Sequence, residues 1–191
     1  MYNPPGCGIS RLRPLGYLDN KNPEEHGRYL RPWGEYVDVS LIKASDFPLF
    51  SRARAAKSAR TQFGALCFRG SGKKTEVLLI TSRDTGRWVI PKGWPKGLEQ
   101  PMANVTREAW EEAGVTGKLG KELQGFYSYS KVMDDGMSMP CVVAVYPIRV
   151  EKMAETFPER GQRRRKWFSP KKAASRVAEP ELAKLLRNFR G

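Results

Sequence analysis

Gly93-Trp94-Pro95-Lys96-Gly97-Leu98-Glu99-Gln100-Pro101-Met102-Ala103-Asn104-Val105-Thr106-Arg107-Glu108-Ala109-Trp110-Glu111-Glu112-Ala113-Gly114-Val115 is the stretch on which the fold turns. Pro101 suits the first turn of a helix and Gly114 its C-terminal cap. Between them Met102, Val105, Ala109, Trp110 and Ala113 share one apolar arc at helical spacing. On the same wheel Glu108, Glu111 and Glu112 span about 100° of arc, at the edge of the buried face. Like charges at these spacings repel by roughly a few tenths of a kcal/mol per pair, and by more beside a low-dielectric core. A divalent cation removes that repulsion. Mg²⁺ is the ion these ligands favour, with Mn²⁺ as the alternative, because every ligand on offer is a hard oxygen. Three glutamates alone would more often be a solvated helix face. The Gly/Pro-rich run that leads into the helix, the fourth acid Glu99, and Arg107, which can neutralise one glutamate and hold the loop, point instead to a built site.

The chemistry that uses such a cluster is phosphoanhydride hydrolysis. A metal draws charge from phosphoryl oxygens and lowers the pKa of a bound water, and a neighbouring carboxylate takes the proton. The rest of the chain leaves few other routes. The one histidine, His26, lies in a polar stretch, and the three cysteines, Cys7, Cys67 and Cys141, include no CxxC pair. Histidine triads, zinc sites and a disulfide framework are thereby disfavoured, and a reducing cytoplasm is expected.

Outward from the helix, strands and helices interleave. Phe63–Phe68, Glu76–Ile80, Arg87–Ile90, Leu123–Tyr129, Met139–Val150 and Lys166–Phe168 read as strands, the first two forming a hairpin across a turn at Gly70–Lys74. Pro170–Val177 and Pro180–Phe189 read as C-terminal helices. This pattern predicts an α/β fold with a mixed sheet and helices packed on it. Residues 1–57, rich in Pro, Gly and charge, read as a partly irregular extension with one short strand over Tyr36–Ile42, and 58–191 as the main domain. No apolar run approaches the roughly 18–20 residues a bilayer span needs, and no secretory signal is visible. The net charge of +14 points to a polyanionic partner, and residues 157–191 hold 11 Lys/Arg against 3 acids.

The quoted segment resembles the Nudix box, G-x5-E-x7-R-E-U-x-E-E-x-G-U, with U aliphatic. Gly93, Glu99, Arg107-Glu108-Ala109, Glu111-Glu112 and Gly114-Val115 stand at its fixed positions. The resemblance, over about residues 60–178, implies a Nudix α/β/α sandwich. It implies that Glu108 and Glu112 ligate the metal and that Glu111 is the base or a further ligand. Glu99 matches the loop acid that pairs with Arg107 and sometimes reaches the metal, and Gly93 the glycine whose backbone approaches it. Some members draw a base from outside the box, for which Asp134, Asp135, Glu155 and Glu159 are the candidates.

Phe63–Arg69, Val77–Arg83, Arg87–Gly93 and Arg163–Ser169 resemble the diphosphoinositol polyphosphate phosphohydrolase branch, whose members also cut dinucleoside polyphosphates. Gly93-Trp94-Pro95-Lys96-Gly97 departs from the glycine-rich turn of the animal enzymes, and Trp94 reads as a brace for the loop. A polyphosphorylated small molecule needs cations around it. Arg60, Arg83, Lys92, Arg163 and Arg165 are the substrate-binding candidates, the last two sharing one side of an alternating strand. An RNA 5′-end pyrophosphohydrolase and a non-catalytic Nudix-fold binding module are the competing readings.

Overall fold

The computed structural model describes residues 28–30, 36–38, 59–133 and 136–191. The chain divides into two units, Met1–Lys43 and Ala44–Gly191. In the first, β1 (Arg28–Leu30) and β2 (Tyr36–Asp38) form an antiparallel pair. The remainder of the strand expected over Tyr36–Ile42 lies outside the described residues.

The second unit carries β3 (Arg60–Arg69), β4 (Glu76–Thr81), β5 (Trp88–Val89), β6 (Lys92–Gly93), α1 (Pro101–Ala113), β7 (Val115–Leu119), β8 (Gly125–Val132), β9 (Ser138–Met153), β10 (Arg165–Phe168), α2 (Pro170–Ala174) and α3 (Pro180–Asn188). The sheet runs β10-β4-β3-β9-β7, with β5 on β4, β6 on β3 and β8 on β9. β3 and β9 are parallel and the other pairings are antiparallel, so the sheet is mixed as expected. β9 is its spine. One edge pairs with β3, and along the other β8 and β7 lie end to end.

Side-chain alternation divides the core into two layers. Leu66, Val77, Leu79, Val143 and Val145 pack with Ala173, Leu182, Leu186 and Phe189 of the C-terminal helices. Their sequence neighbours Ala65, Cys67, Leu78, Ile80 and Ala144 are buried too. By alternation they face the opposite layer, which α1 covers with Val105, Ala109 and Ala113. The result is the α/β/α sandwich. Leu182 and Leu186 are both fully buried. Truncating either to Ala is expected to cost about 2–5 kcal/mol, read as a drop in the urea unfolding midpoint.

Two elements differ from the sequence reading. Val115-Thr116-Gly117-Lys118-Leu119 has too few apolar residues and an internal glycine, yet it is a strand, because β9 supplies the pairing edge. Lys92–Gly93, expected in a loop, is a two-residue strand bonded to Phe63 and Gly64 of β3. Trp110, expected on the apolar arc, is 37% exposed. The buried face of α1 is Asn104, Val105, Glu108, Ala109, Glu112 and Ala113. It is therefore rotated so that two of the glutamates lie inside it, not along its edge. Among the described residues no helix is long and apolar enough to cross a membrane.

Candidate active site

The site forms where β6 meets α1. In the two-residue strand, Gly93 pairs with Phe63 and turns toward α1, while Lys92 pairs with Gly64 and turns toward the other layer. A Cβ at Gly93 would sit 2.1 Å from Glu108 Oε1. The glycine is required by this close approach, since only a residue without a side chain lets the backbone and the carboxylate share the space. Gly93→Ala is expected to push Glu108 aside and lower turnover at least tenfold, with little change in far-UV circular dichroism. Wild-type turnover in that variant would remove the reason for the glycine.

Arg107 organises the loop. Its Nε donates to Glu99 Oε1 at 2.9 Å, and its Nη2 donates to Glu99 Oε2 at 2.9 Å and to the Trp94 carbonyl at 2.9 Å. Its Nη1 reaches Glu108 Oε1 at 2.8 Å and Glu111 Oε2 at 2.7 Å. Asn104, fully buried, completes the clamp by donating Nδ2 to the Trp94 carbonyl at 2.7 Å and to Glu99 Oε2 at 3.0 Å. The 93–100 loop is thus pinned to α1 by two side chains about 60° apart on the helical wheel, through the Trp94 main chain and the Glu99 carboxylate. Trp94 itself packs against the core, as a brace would.

The hydrogen bonds from Arg107, with those from Asn104 and the Lys96 amide, hold the Glu99 carboxyl down at about 2 against its ordinary 4.5. A depressed folded pKa stabilises the protein above the unfolded value, and that contribution is lost as pH falls through the folded one. Glu99→Gln is therefore expected to flatten the decline of the melting temperature between pH 4.5 and about 2. A decline as steep as the wild type's would place the acid sensitivity elsewhere.

Glu108 and Glu112 are 7% and 6% exposed. Burial pushes the Glu112 carboxyl up to about 7, against the opposing pull of Lys92 and Arg163. Burial raises Glu108 as well, with Arg107 opposing. Glu112 Oε2 accepts the Lys92 amide at 3.0 Å, and Glu112 Oε1 pairs with Arg163 Nη2. Glu111 lies further out. Burial raises its pKa, but hydrogen bonds from Lys96 and Arg107 outweigh that and lower it, the Lys96 Nζ contact being 2.9 Å.

Among the described residues no three acid, histidine or cysteine side chains stand ready to hold a metal. Each carboxylate is instead held by a cation. The donor chemistry nonetheless fits a divalent ion. The groups are hard oxygens, two of them are buried and disfavoured as anions, and the missing Gly93 side chain keeps the backbone close to Glu108. Arginine and lysine supply the positive charge that these buried carboxylates require.

The expected substrate cations are placed differently from one another. Arg163, 5% exposed, sits on Glu112 and Glu159. Arg83 is 57% exposed, 3.6 Å from Glu159. Arg60 lies over the Trp94 ring at 5.3 Å and the Lys92 ammonium over the Tyr129 ring at 5.5 Å, so both belong to the other side of β6. Arg165 departs from expectation. Its Nη1 donates to the carbonyls of Ala113 at 2.7 Å and Ala154 at 3.1 Å, and the guanidinium stacks on Phe157. It closes the C-terminal end of α1, where carbonyls are left unpaired, and does not join Arg163. Both arginines turn toward α1, as the alternation expects, with Arg164 and Lys166 opposite over Trp88 and Phe168, but only Arg163 reaches the carboxylates. Asn104 was missed from the sequence. Its signal was a polar residue four positions before Glu108, on the same helix face. Asp134 and Asp135 lie outside the described residues, and Glu155 is exposed.

A mixed sheet sandwiched by helices, with buried acids on the helix behind a glycine strand, defines the chain as a phosphoanhydride-hydrolase domain of the Nudix type. The NUDIX domain profile matches residues 59–189. Diphosphoinositol polyphosphate phosphohydrolase 3-beta of Homo sapiens is 32% identical over 124 residues, which cover 63% of this chain and 71% of that one. Nudix hydrolase 16, mitochondrial, of Arabidopsis thaliana is 35% identical over 147 residues, covering 76% and 77%. Among solved structures, a NUDIX hydrolase from Nitrosomonas europaea superposes with a TM-score of 0.53 at 16% identity, covering 68% of this chain and 86% of that one, a likeness of fold alone. The chain belongs to the Nudix family and is a Nudix pyrophosphohydrolase.

Proposed function

We propose that the protein is a Mg²⁺-dependent hydrolase of a phosphoanhydride bond in a polyphosphorylated small molecule, a diphosphoinositol polyphosphate or a dinucleoside polyphosphate. The observation that carries the reading is the burial of Glu108 and Glu112 side by side behind Gly93, at the foot of a group of cations that includes Arg83, Lys96 and Arg163. The human relative, a diphosphoinositol polyphosphate phosphohydrolase, supports the substrate class, and the Arabidopsis relative, a Nudix hydrolase, supports the reaction. Glu108 and Glu112 would hold the metal, with Glu99 keeping Arg107 and the loop in register. When bound, the ion offsets phosphoryl charge and acidifies a water. Arg163, Arg83 and Lys96 orient the phosphate chain. Glu111, the least buried of the four box glutamates, accepts a proton from the attacking water. The water oxygen bonds to phosphorus, the bridging P–O bond breaks, and the leaving phosphate carries off the electron pair. Lys92 and Arg60 contact the substrate from the Trp94–Tyr129 side.

We further read residues 58–191 as the catalytic domain, with 1–57 as an extension, and place the protein in the cytoplasm, a placement that cell fractionation tests. The activity test is phosphate release from a diphosphoinositol phosphate, a dinucleoside hexaphosphate and 5′-triphosphate RNA, with Mg²⁺ and with EDTA. Turnover of either small molecule, abolished by EDTA and restored by Mg²⁺, is expected. Turnover of the RNA alone overturns the substrate class, and no turnover of any of them overturns the proposal.

A further inference from the structure

Arg163 is the most informative of the cations around the carboxylates. At 5% exposed it is more enclosed than Arg107 at 18%. Each nitrogen of its guanidinium has a partner: Nη2 is on Glu112, Nε donates to Glu159 Oε2 at 2.5 Å, and Nη1 donates to the Thr81 carbonyl at 3.1 Å. Glu159 is itself fixed from three directions. Its amide donates to the Glu111 carbonyl at 3.1 Å, its Oε2 takes Arg163, and its Oε1 faces Arg83 Nη1 at 3.6 Å. A residue that the sequence offers as an external base is therefore the point where both arginines and the end of α1 are tied together.

A guanidinium forked between two carboxylates has a property that a single ion pair lacks. It can leave one carboxylate and stay held by the other. Glu112, almost fully buried, needs a positive charge beside it whenever it is ionised, because an uncompensated buried anion is strongly unfavourable. Glu159 lies at the more open side of the pair, beside the half-exposed Arg83.

We propose that Arg163 is a transferable counter-cation: it neutralises Glu112 in the metal-free protein and, tethered by Glu159, moves onto a substrate phosphate oxygen once Glu112 is taken up as a metal ligand. Glu159 is then a positioning residue and not the base. The inference rests on the reading of Glu112 as a metal ligand. It follows that Arg163 and the divalent ion compete for one carboxylate, while Arg163 and the ion cooperate in binding substrate.

Mn²⁺ binding to the full chain without substrate, followed by electron paramagnetic resonance, separates these roles. Arg163→Gln is expected to lower the Mn²⁺ dissociation constant at least about fivefold, the lower end of ordinary coupling between sites, and to raise KM for a dinucleoside hexaphosphate. Glu159→Gln is expected to raise KM by a larger factor than it lowers kcat, a split that mere loosening of the fold would not give. Unchanged or weaker Mn²⁺ binding in Arg163→Gln, with the wild type binding normally, overturns the proposal alone. A wild-type chain that binds no Mn²⁺, or a Glu112→Gln chain that binds it as the wild type does, overturns the metal reading and this proposal with it. Should Arg163→Gln not fold, ¹⁵N spectra of the unaltered protein give the same decision. Mg²⁺ is expected to shift the Arg163 Nη signals while its Nε–H stays bonded, and Nη signals that do not move overturn the exchange.

Discussion

Glu112→Gln is expected to lower turnover by roughly 10³-fold, about 4 kcal/mol of barrier, while leaving the fold intact. Glutamine keeps an oxygen for the Lys92 amide, which donates to Glu112 Oε2 at 3.0 Å. It removes the negative charge that would ligate a metal and that now pairs with Arg163. Burial already disfavours the charged form of this carboxyl, so the neutral variant loses little stability on that account. Arg163 retains Glu159 and the Thr81 carbonyl. Thermal melting of the variant should therefore stay within a few degrees of the wild type, so that the loss of rate cannot be charged to unfolding. Steady-state rates at saturating Mg²⁺ decide the matter, and near-normal turnover would end the assignment of Glu112 to the metal.

The second large effect concerns stability and lies one turn away. Arg107→Met is expected to destabilise the domain by about 3 kcal/mol, the usual scale for stranding the partners of an enclosed ion pair. Glu99, Glu108 and Glu111 all rely on this one guanidinium. Its removal leaves three acids facing one another across the loop, with Lys96 as the remaining cation on Glu111. Arg107→Lys should recover only part of the loss, because an ammonium cannot serve Glu99 through two parallel bonds and still reach Glu108 and Glu111. Urea unfolding of the three proteins at one pH gives the comparison. A Lys variant as stable as the wild type would mean that charge alone, without the fork, holds the loop.

Much of the site was legible because its spacing is a property of one helix. Pro101 and Gly114 delimit α1, and Gly114 indeed adopts the left-handed cap with φ of 63°. The hairpin β3–β4 followed from two apolar runs and a turn. What the sequence concealed depends on contacts between distant segments. β7 exists through the edge that β9 offers. The phase of the buried face of α1 is set by β6, which draws Glu108 and Glu112 inward and leaves Trp110 half out, whereas hydrophobicity alone would centre the face on the larger side chain. Arg163 and Arg165 could not be told apart by alternation, since both turn to the same layer and differ only in which end of α1 they meet. The pairing of Glu159 with Arg163 joins residues four apart in a turn, and nothing in the local pattern marks it as joined also to Glu112, 51 positions away.

The two-residue strand β6 separates two groups of side chains. Gly93 looks toward the acids, and Lys92 looks toward Tyr129 with Trp94, Arg60 and Lys131 nearby. On the proposed reading, part of the substrate is thus met on the far side of a wall from the bond that breaks. Tyr129, buried and donating to Gln62 at 2.7 Å, is part of that wall, whereas the exposed Arg60 and the partly exposed Lys131 stand in front of it. A library randomised at Arg60 and Lys131 is therefore expected to yield variants with altered substrate ranking and unaltered dependence on Mg²⁺.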